Sequence, residues 1–414
     1  MLVVHLGEAG TMRIPVGEGW LLASAPGRAD FLNTHQDYKG LPVVPVAIKL
    51  RTYVSGALRR EPGFKVVSLN MKDLGEPFAD SFQAGGPLLG KGWFGNYFRA
   101  VVNVLVKEGY FKGVEGAEIW VESQVPVGSG LSSSAALEVS FLTLLNGLYD
   151  LGLSTRDIAE LAYVAEHDEM GIPCGRLDQY GSAFGGIILL ECRPPFRVER
   201  LPSDGLFFAI FDSGVRHSTA LIHPVRQREI DEGLKAFMEM NIPKEVKAKL
   251  GYRYFEPKWD ELSVGELEPY LSMLDEASAK RILFTLKMQS STLVAVKLLK
   301  GESPTLVEDE LLDKIKGASR IEALGEIMNY QHELLRDLYE VSHPKLEEIR
   351  SAVLRAGAYG AKLSGAGMGG SLIALVDENE ASSILEAGLK AGAVKGWLSP
   401  PGEPAKIHEN KAPS

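Results

Sequence analysis

A glycine- and serine-rich segment in the N-terminal half constrains this chain more than any other feature. Pro126–Ala136 has the sequence PVGSGLSSSAA and follows a short predicted strand, Ala117–Glu122. Small and apolar residues then recur at helical spacing from Ser133 to Asn146, so a helix begins within the serines. Free backbone amides at a helix N-terminus, together with the helix dipole, favour an anion such as a phosphate group. The segment lacks the Gly-Lys-Ser/Thr ending of a Walker loop, and a serine-rich capping turn that binds nothing would have the same composition.

Three more segments combine glycine or charge in ways that packing alone does not require. Lys362–Ser371 is a second glycine loop, KLSGAGMGGS, between a predicted helix and a predicted strand. Pro26–Tyr38, PGRADFLNTHQDY, is a charged loop between the predicted strands Trp20–Ala25 and Leu41–Leu50. Gly171–Gln179, GIPCGRLDQ, places an aspartate after a turn. A tight helix-to-strand turn, a solvated surface loop and a helix cap remain open as structural explanations for the three.

Length and the order of the predicted elements indicate an α+β protein with two domains. The 414 residues exceed what one hydrophobic core usually serves. Cys192–Asp204 contains three prolines and mixed charge, which is typical of a domain junction. We therefore expect an N-terminal domain over residues 1–195 and a C-terminal domain over residues 196–414. The segment after Trp397 is rich in proline and charge, and we expect a loosely held tail there.

Composition argues against several functional classes. The formal net charge is −10 and basic residues do not cluster, which disfavours a nucleic-acid partner. Two cysteines, Cys174 and Cys192, are too few for a disulfide framework or a cysteine-rich metal site. The N-terminus lacks a basic region followed by an apolar stretch, and apolar runs fall short of the ~20 residues that a membrane span needs. We expect a cytoplasmic protein with no membrane partner, and the sequence does not indicate its oligomeric state.

The four segments together resemble the GHMP kinase superfamily, and its galactokinase branch in particular. Pro126–Ala136 is similar to the P-x-G-x-G-L-S-S-S-A phosphate loop of these kinases, and Lys362–Ser371 to their third, glycine-rich motif. Pro26–Tyr38 resembles the galactokinase signature P-G-R-V-N-L-I-G-E-H-T-D-Y, and Cys174–Gln179 resembles its C-G-x-x-D-Q segment. The resemblance implies an ATP-dependent sugar 1-kinase. It also implies a ribosomal-S5-like N-terminal domain and a ferredoxin-like α/β C-terminal domain.

The resemblance assigns the contacts to nucleotide and metal. The residues that would wrap the ATP phosphates form one continuous loop: Gly128, Ser129, Gly130, Leu131, Ser132, Ser133 and Ser134. Ser134 and Glu166 would be the ligands of a Mg²⁺ ion. Ser68 lies where these kinases often contact the nucleotide. Asp178 follows Glu166 by twelve residues, which matches the family's Glu-to-Asp spacing.

The resemblance also assigns the catalytic and sugar-binding groups. Asp178 would accept, or orient, the proton of the anomeric hydroxyl as that oxygen attacks the γ-phosphorus. Arg28 would pair with Asp178, keep it ionised and offset charge on the phosphoryl group. His35 and Asp37 would hydrogen-bond ring hydroxyls. Positioning and electrostatics supply most of phosphoryl-transfer catalysis, so no covalent intermediate is required.

Four differences from the galactokinase pattern all concern the sugar. Thr34 replaces the glutamate near the C6 hydroxyl, and Asp30 replaces an asparagine. Arg176 occupies a position that is usually apolar, and His223 stands where a tyrosine is expected. The lost carboxylate and the gained cation predict a substrate altered around C5–C6 or at C2, such as a uronic acid, with galactose a poor substrate at best. Galactose still fits if a neighbouring amide side chain restores the contact and Arg176 faces solvent.

Two other functions are compatible with parts of the pattern. A GHMP kinase for another small alcohol, such as mevalonate, would share the phosphate loop but not the H-x-D-Y of His35–Tyr38. A non-catalytic sensor would bind ATP and sugar, yet such proteins lack the serine–alanine pair that is present here as Ser134–Ala135. The sugar kinase is therefore the first interpretation.

Overall fold

Two β-sheets form the framework of the molecule. The computed structural model describes residues 4–5, 11–216, 222–303 and 309–409. The strands along these residues are β1 (Val4–His5), β2 (Thr11–Met12), β3 (Leu21–Leu32), β4 (Val44–Leu58), β5 (Gly63–Ser68), β6 (Ala79–Phe82), β7 (Gly116–Ser123), β8 (Ile187–Leu190), β9 (Val198–Leu201), β10 (Phe207–Asp212), β11 (Gly360–Ser364), β12 (Ser371–Val376), β13 (Lys395–Ser399) and β14 (Lys406–His408).

Strand order separates the two halves of the chain. The larger sheet has the order β14-β3-β4-β7-β5-β6, and β8 joins it by pairing with β4 and β9. The smaller sheet has the order β11-β12-β10-β13 and is antiparallel throughout. Phe31 of β3 packs edge-on against Phe208 of β10 (ring centroids 5.3 Å apart), so the two sheets share buried apolar contacts.

Helices surround both sheets. They are α1 (Leu69–Asp73), α2 (Asn96–Lys107), α3 (Ser133–Tyr149), α4 (Thr155–Val164), α5 (Leu177–Phe184), α6 (Ile222–Glu239), α7 (Lys244–Lys247), α8 (Val264–Leu271), α9 (Glu276–Leu299), α10 (Asp309–Ile315), α11 (Arg320–Glu333), α12 (Pro344–Arg355) and α13 (Ala381–Lys390). A π-helical turn, Ala165–Glu169, extends α4. Ser154 and Asp157 form a capping box at the start of α4, so local sequence fixes where this helix begins.

One described helix, α9, has the length and hydropathy of a membrane span. However, 67% of its apolar window is buried inside the protein. Phe284 and Met288 of this helix belong to the hydrophobic core that also holds β10 and β12. The apolar character of α9 is therefore explained by core packing.

Strand β3 continues through part of the predicted loop Pro26–Tyr38. Arg28 pairs with Ala47 of β4 and Asp30 pairs with Pro45, and register shifts flank these pairs. The prediction of a loop beginning at Pro26 is therefore wrong for the residues up to Leu32. These residues pair with β4 and are buried, which a Pro-Gly-Arg sequence does not reveal. The strand carries Arg28 and Asp30 to the base of the cleft described below.

The C-terminal end is not a loose tail. β14 pairs with β3, and Arg51 donates to the carbonyl oxygens of Glu403 and Pro404 (2.8 Å each). The expectation of a loosely held segment after Trp397 is thus wrong for the residues up to 409, and residues 410–414 lie outside the described part. β8 and β9 extend the N-terminal sheet to Leu201, six residues past the predicted boundary at residue 195.

Candidate active site

The phosphate loop, Gly128–Ser134, packs directly against the second glycine loop. Ser371 Oγ donates to Ser129 O (2.7 Å). A Cβ atom on Gly130 would lie 3.0 Å from Ser364 O, and Gly130 has φ +78°, so this close approach requires glycine. Helix α3 begins inside the loop, at Ser133. The two glycine loops, more than 200 residues apart in the sequence, therefore lie against each other in the fold.

Hydroxyl groups within the phosphate loop have different environments. Ser129 is fully buried and its Oγ donates to Pro126 O (2.8 Å), so this hydroxyl stabilises the shape of the loop. Ser132 has φ +57°, and its buried Oγ has no hydrogen-bond partner among the described residues. A buried, unpaired hydroxyl beside free helix amides is suited to a phosphate oxygen. Leu131 is buried and its carbonyl oxygen accepts from Arg28 N (3.2 Å).

Arg28 joins three parts of the cleft. Its Nε and Nη2 donate to Asp178 Oδ1 (2.9 and 2.5 Å), and its Nη1 donates to Gly130 O (2.7 Å). Asp30 Oδ1 lies 3.2 Å from Nη1, and Asp30 Oδ2 accepts from Gly365 N (3.1 Å). Burial opposes the guanidinium charge, but the Asp178 and Asp30 carboxylates outweigh it and raise the pKa of Arg28. Arg28 therefore fixes Asp178 relative to both glycine loops.

Asp178 faces the cleft from the first turn of α5. Its side chain keeps 28% of its surface exposed, although Arg28 beside it is buried. The N-cap of α5 is Arg176, so the interpretation of Asp178 as a mere helix cap is wrong. Both hydrogen bonds from Arg28 reach Oδ1, and Oδ2 accepts none among the described residues. The free oxygen is therefore available to a ligand.

Ser134 and Glu166 meet, as the resemblance implies. The Ser134 hydroxyl is near enough to the Glu166 carboxylate to oppose the rise of its pKa, and Gln179 Nε2 donates to Glu166 Oε2 (2.6 Å). Burial raises the pKa of Glu166 to about 7, and repulsion from Asp178 adds to the rise. Burial also raises the pKa of Glu138, one turn after Ser134 on α3. The carboxyl groups of Glu138, Glu166 and Asp178 therefore lie close together on this side of the cleft.

A magnesium ion fits this arrangement. A hydroxyl and a carboxylate are hard oxygen donors of the kind that Mg²⁺ prefers. The described residues include no group of three or more His, Cys, Asp or Glu side chains that could hold a metal by themselves. Phosphate oxygens and water would therefore complete the coordination. We call Gly128–Ser134 with Arg28, Asp30, Glu166 and Asp178 the phosphate side of the cleft.

The sugar side of the cleft consists of Thr34–Tyr38 and His223. His35 has φ +67°, its Nε2 donates to Ala366 O (3.0 Å), and its Nδ1 lies 3.3 Å from Tyr38 OH. His223 of α6 packs against the rings of His35 and Tyr38 (centroids 5.1 and 5.2 Å away). Burial lowers the pKa of both histidines, so both imidazoles are neutral at pH 7.

Asp37 lies on the boundary between the two sides. It begins a short 3₁₀ turn, Asp37–Lys39, and its carboxylate packs against Gly175. A Cβ atom on Gly175 would lie 1.7 Å from Asp37 Oδ2, so only glycine permits this contact. Burial raises the pKa of Asp37 to about 6, and the charges of Asp178 and Asp30 add to the rise. The predicted base and the predicted sugar ligand therefore belong to one site.

Thr34 contacts a buried lysine instead of open space. Lys362 Nζ donates to Thr34 Oγ1 (2.7 Å) and to the carbonyl oxygens of Asp30 (2.7 Å) and Leu363 (3.2 Å). Both side chains are buried, and burial lowers the pKa of Lys362 to about 8. Thr34 therefore stands where a carboxylate would form an ion pair with Lys362.

Arg176 does not offer a free charge to the sugar. Its Nε and Nη2 donate to Glu160 (2.9 and 2.6 Å). Its guanidinium carbon lies 3.9 Å from the Tyr163 ring centre and 3.8 Å from that of Phe196. Glu160 neutralises the cation, so the expectation that Arg176 attracts an acidic sugar loses its electrostatic basis.

Ser68, the last residue of β5, pairs with Val121 of β7, the strand that precedes the phosphate loop. Its Oγ caps α1 by accepting from Met71 N (3.4 Å). Asn70 exchanges two hydrogen bonds with Ser123, the last residue of β7 (2.8 and 2.7 Å). A cavity of about 490 Å³ borders α1 and is lined in part by Met71, Leu89 and Trp93.

Sequence reasoning missed three participants. Lys362 opens the second glycine loop, Gln179 closes the C-G-x-x-D-Q segment, and Glu138 lies one turn beyond the phosphate loop. Lys362 and Gln179 lie within recognised motifs and Glu138 lies two residues after one, and that position was the available signal. The contact of Lys362 with Thr34 and that of Gln179 with Glu166 depend on tertiary packing, so sequence position alone could not assign them.

Comparison with known families supports this geometry. Residues 96–186 match the GHMP kinases N terminal domain, and residues 310–394 match GHMP kinases C terminal. Residues 16–58 match the galactokinase galactose-binding signature. The third match covers β3, the loop with His35 and Asp37, and β4. The three matched ranges therefore include the strands and loops that form the cleft.

Individual relatives agree with the family matches. A galactokinase of Thermococcus kodakarensis is 32% identical over 366 residues, covering 87% of this chain and 90% of that protein. One from Exiguobacterium sibiricum is 30% identical over 370 residues, covering 88% and 86%.

Solved structures show that the fold is shared. A Lactococcus lactis galactokinase complexed with galactose superposes with a TM-score of 0.75 at 24% identity, covering 94% of this chain and 95% of that one. A mevalonate kinase gives a TM-score of 0.62 at 18% identity, covering 92% and 99%. The chain belongs to the galactokinase family of the GHMP kinases and is an ATP-dependent sugar kinase.

Proposed function

We propose that the protein transfers the γ-phosphate of ATP to the anomeric hydroxyl of galactose or a closely related sugar. One observation carries this proposal. The guanidinium that holds Asp178 Oδ1 also donates to Gly130 O, so a proton acceptor and a phosphate cradle are joined through Arg28. The non-catalytic sensor would not need this coupling.

Asp178 and Arg28 have different roles in the proposed reaction. Asp178 Oδ2 would accept the proton of the anomeric hydroxyl as that oxygen bonds to the γ-phosphorus and the bond to ADP breaks. Arg28 holds Asp178 Oδ1 in place and puts positive charge beside the phosphoryl group. Asp178 then releases its proton to solvent. The transfer is direct, because positioning and electrostatics are sufficient for phosphoryl transfer.

Backbone amides of the phosphate loop and the Ser132 hydroxyl would hold the ATP phosphates. Ser134 and Glu166 would hold a Mg²⁺ ion, which neutralises phosphate charge when bound. The apolar cavity beside α1, with Trp93 in its lining, suits a planar base. Ser68 would contribute through α1, because its own hydroxyl already caps that helix.

Galactose is the first substrate that we propose. The matched galactose-binding signature and the curated relatives support it. Asp37 would accept from ring hydroxyls, and Thr34 would lie near C6. Both nitrogens of His35 have partners within the protein, so His35 would exchange one of them for the sugar. The expectation that galactose is a poor substrate rests on Thr34 and His223 and stays a prediction.

A coupled ADP-release assay tests the proposal. The panel contains galactose, other neutral, amino and acidic monosaccharides, and mevalonate, each with ATP and Mg²⁺. We expect sugar-dependent ADP release and none with mevalonate. Binding of ATP and sugar without ADP release would instead identify a sensor. Both partners in this reaction are small molecules, and we propose a cytoplasmic location.

A further inference from the structure

The chain returns to the larger sheet after β13, and we call residues 400–408 the C-terminal arm. β13 pairs with β10 in the smaller sheet, whereas β14, at the end of the arm, pairs with β3 in the larger sheet. The arm therefore connects the two sheets. It joins the larger sheet on the strand that carries Arg28 and Asp30.

Arg51 of β4 is the side chain that holds the arm. Arg51 is buried, and its Nη1 and Nη2 donate to the carbonyl oxygens of Glu403 and Pro404 (2.8 Å each). Its Nε and Nη2 also donate to the Oγ and the carbonyl oxygen of Ser24 in β3 (2.8 and 3.1 Å). Ser24 Oγ is hydrogen-bonded to His408 Nε2 in β14 (2.7 Å). One planar group of N–H donors thus joins β3, β4 and the arm.

The arm also encloses the C-terminal end of α5. Gly186 N donates to Gly402 O (2.7 Å), Gly402 N donates to Ala47 O (2.8 Å), and Ala47 N donates to Gly186 O (2.8 Å). These three bonds form a closed ring between the arm, β4 and the residues that follow α5. A Cβ atom on Gly402 would lie 2.3 Å from Ile48 O, so the backbone can approach this closely only at a glycine.

The elements held in this way carry both members of the Arg28–Asp178 contact. Ala47, a member of the hydrogen-bonded ring, pairs with Arg28 across β3 and β4. Asp178 lies in the first turn of α5, and Ala183 O, near the other end, accepts from Ala405 N of the arm (3.1 Å). Because α5 has only eight residues, a shift of its C-terminal end also moves its first turn. The placement of Asp178 relative to Arg28 therefore depends on the arm.

We propose that Arg51 is a positioning residue for phosphoryl transfer. Through the C-terminal arm it holds α5 against β3, and so keeps Asp178 in the place that the reaction requires relative to Arg28 and the phosphate loop. A displacement of about 1 Å that originates far from the reacting atoms is enough to lower a rate about 100-fold. The inference rests on the proposed function, in which Asp178 is the base.

A purely stabilising role for Arg51 is the competing explanation. Loss of its side chain would leave the carbonyl oxygens of Glu403 and Pro404 without their donor, which destabilises the fold in either case. A lower Tm therefore does not distinguish the two explanations. A positioning residue must in addition affect kcat at temperatures where every variant is folded, and it must act through Asp178.

Steady-state kinetics on the whole enzyme, well below the Tm of every variant, provide the first test. Arg51→Met should lower kcat about 10–100-fold, while the Kd of ATP measured by calorimetry stays nearly unchanged. Arg51→Lys, which keeps the charge but not the planar set of donors, should recover part of kcat. Gly402→Ala should lower kcat as well, because it displaces the arm without removing a donor.

Leu267→Ala is the matched control for lost stability. Leu267 is a fully buried residue of α8, in a hydrophobic cluster that includes no residue of β3 or α5. Truncating it should lower the Tm, as a cavity in any core does, but kcat should equal that of the wild type. Equal losses of kcat in Leu267→Ala and Arg51→Met would overturn the inference.

A double-mutant cycle with Asp178→Asn provides the second test. In that background Arg51→Met should lower kcat less than about two-fold, because no base remains to be misplaced. A full additional loss would show that Arg51 does not act through Asp178. Wild-type kcat in both Arg51→Met and Gly402→Ala would overturn the inference and leave the proposed function intact. Absence of turnover by the wild type with every sugar would overturn the proposed function, and the inference with it.

Discussion

The phosphate side and the sugar side lie next to each other, but their polar groups are arranged differently. On the phosphate side Arg28 has two carboxylate partners, and these three residues are tied to both glycine loops. On the sugar side the histidines are neutral and pack against each other and against Tyr38 at tilted or edge-on angles. The two buried lysines there, Lys39 and Lys362, bond to hydroxyl and carbonyl oxygens and have no ion pair among the described residues.

The difference explains why the reaction was easier to predict than the sugar. Removing one partner of a buried ion pair leaves an uncompensated charge and costs roughly 3–5 kcal/mol, so such sets tolerate little change. A neutral hydrogen bond contributes only about 1 kcal/mol net, so its partners can be exchanged. Motifs on the phosphate side therefore constrain chemistry tightly. Motifs on the sugar side leave the substrate open.

Asp178→Asn is expected to have the largest effect. The amide keeps the shape of the side chain but neither accepts a proton nor carries charge, so kcat should fall at least ~100-fold. ATP affinity, measured by calorimetry, should stay nearly unchanged. Asp204→Asn, at an exposed aspartate away from the cleft, should match the wild type. A kcat for Asp178→Asn within a few-fold of the wild type would show that Asp178 is not the base.

Glu166→Gln should weaken metal binding by about 10–100-fold, because it removes one charged oxygen from a hard cation. Mn²⁺ binding followed by electron paramagnetic resonance, in the presence of ADP, measures this without turnover. Glu169→Gln is the matched control, since Glu169 lies on the same π-helical turn and pairs with Lys107. Identical Mn²⁺ titrations for both variants would show that the metal assignment is wrong.

Asp37 should give the sugar side a pH dependence of about ten-fold in total between pH 7 and pH 5. Its pKa is raised to about 6, so the ionised fraction grows as pH rises through 6. Protonated Asp37 cannot accept as a carboxylate from a sugar hydroxyl, so kcat/KM for the sugar should fall between pH 7 and pH 5. Saturating ATP and Mg²⁺ are used throughout, so that bound metal would hold Glu166 ionised during the measurement. Asp37→Asn should have a lower kcat/KM that does not change between pH 7 and pH 5. If kcat/KM of this variant still falls below pH 7, another group causes the pH dependence.

Thr34→Glu is expected to have the smallest effect. It tests whether an added ion pair makes the sugar side behave more like the phosphate side. A carboxylate there would give Lys362 an ion-pair partner and add an acceptor near C6. The galactose kcat/KM should rise about five-fold, equivalent to one hydrogen bond. Thr34→Gln, of similar size but uncharged, separates charge from volume. A fall in galactose activity with both variants would indicate that Thr34 is needed for space.

The sequence predicted which loops form the cleft better than it predicted the tertiary contacts that position those loops. Four motifs pointed to the phosphate loop and to Asp178, and the family's spacing added Glu166; the roles of these residues stay predictions. Tertiary contacts decided the rest. Strand β3 extends through Arg28 because β4 pairs with it, and the C-terminal segment is held by Arg51.

Arg176 shows most clearly what the sequence alone could not predict. Its charge predicted a contact with the substrate, yet Glu160, sixteen residues earlier in the chain, neutralises it. Both residues were visible in the sequence, but their pairing depends on how α4 packs against the start of α5. Charge balance in a folded cleft is a property of neighbours in space, which no single motif contains.

The position of the transferred phosphate tests the central claim most directly. The enzyme is incubated with ATP, Mg²⁺ and the best sugar of the panel, and the product is examined by phosphorus and proton magnetic resonance. Phosphorus coupled to the anomeric proton, with one ADP formed per sugar phosphate, is the predicted result. Phosphate on any other hydroxyl, or ADP formed without a sugar phosphate, would contradict the assignment of Asp178 as the base for the anomeric oxygen.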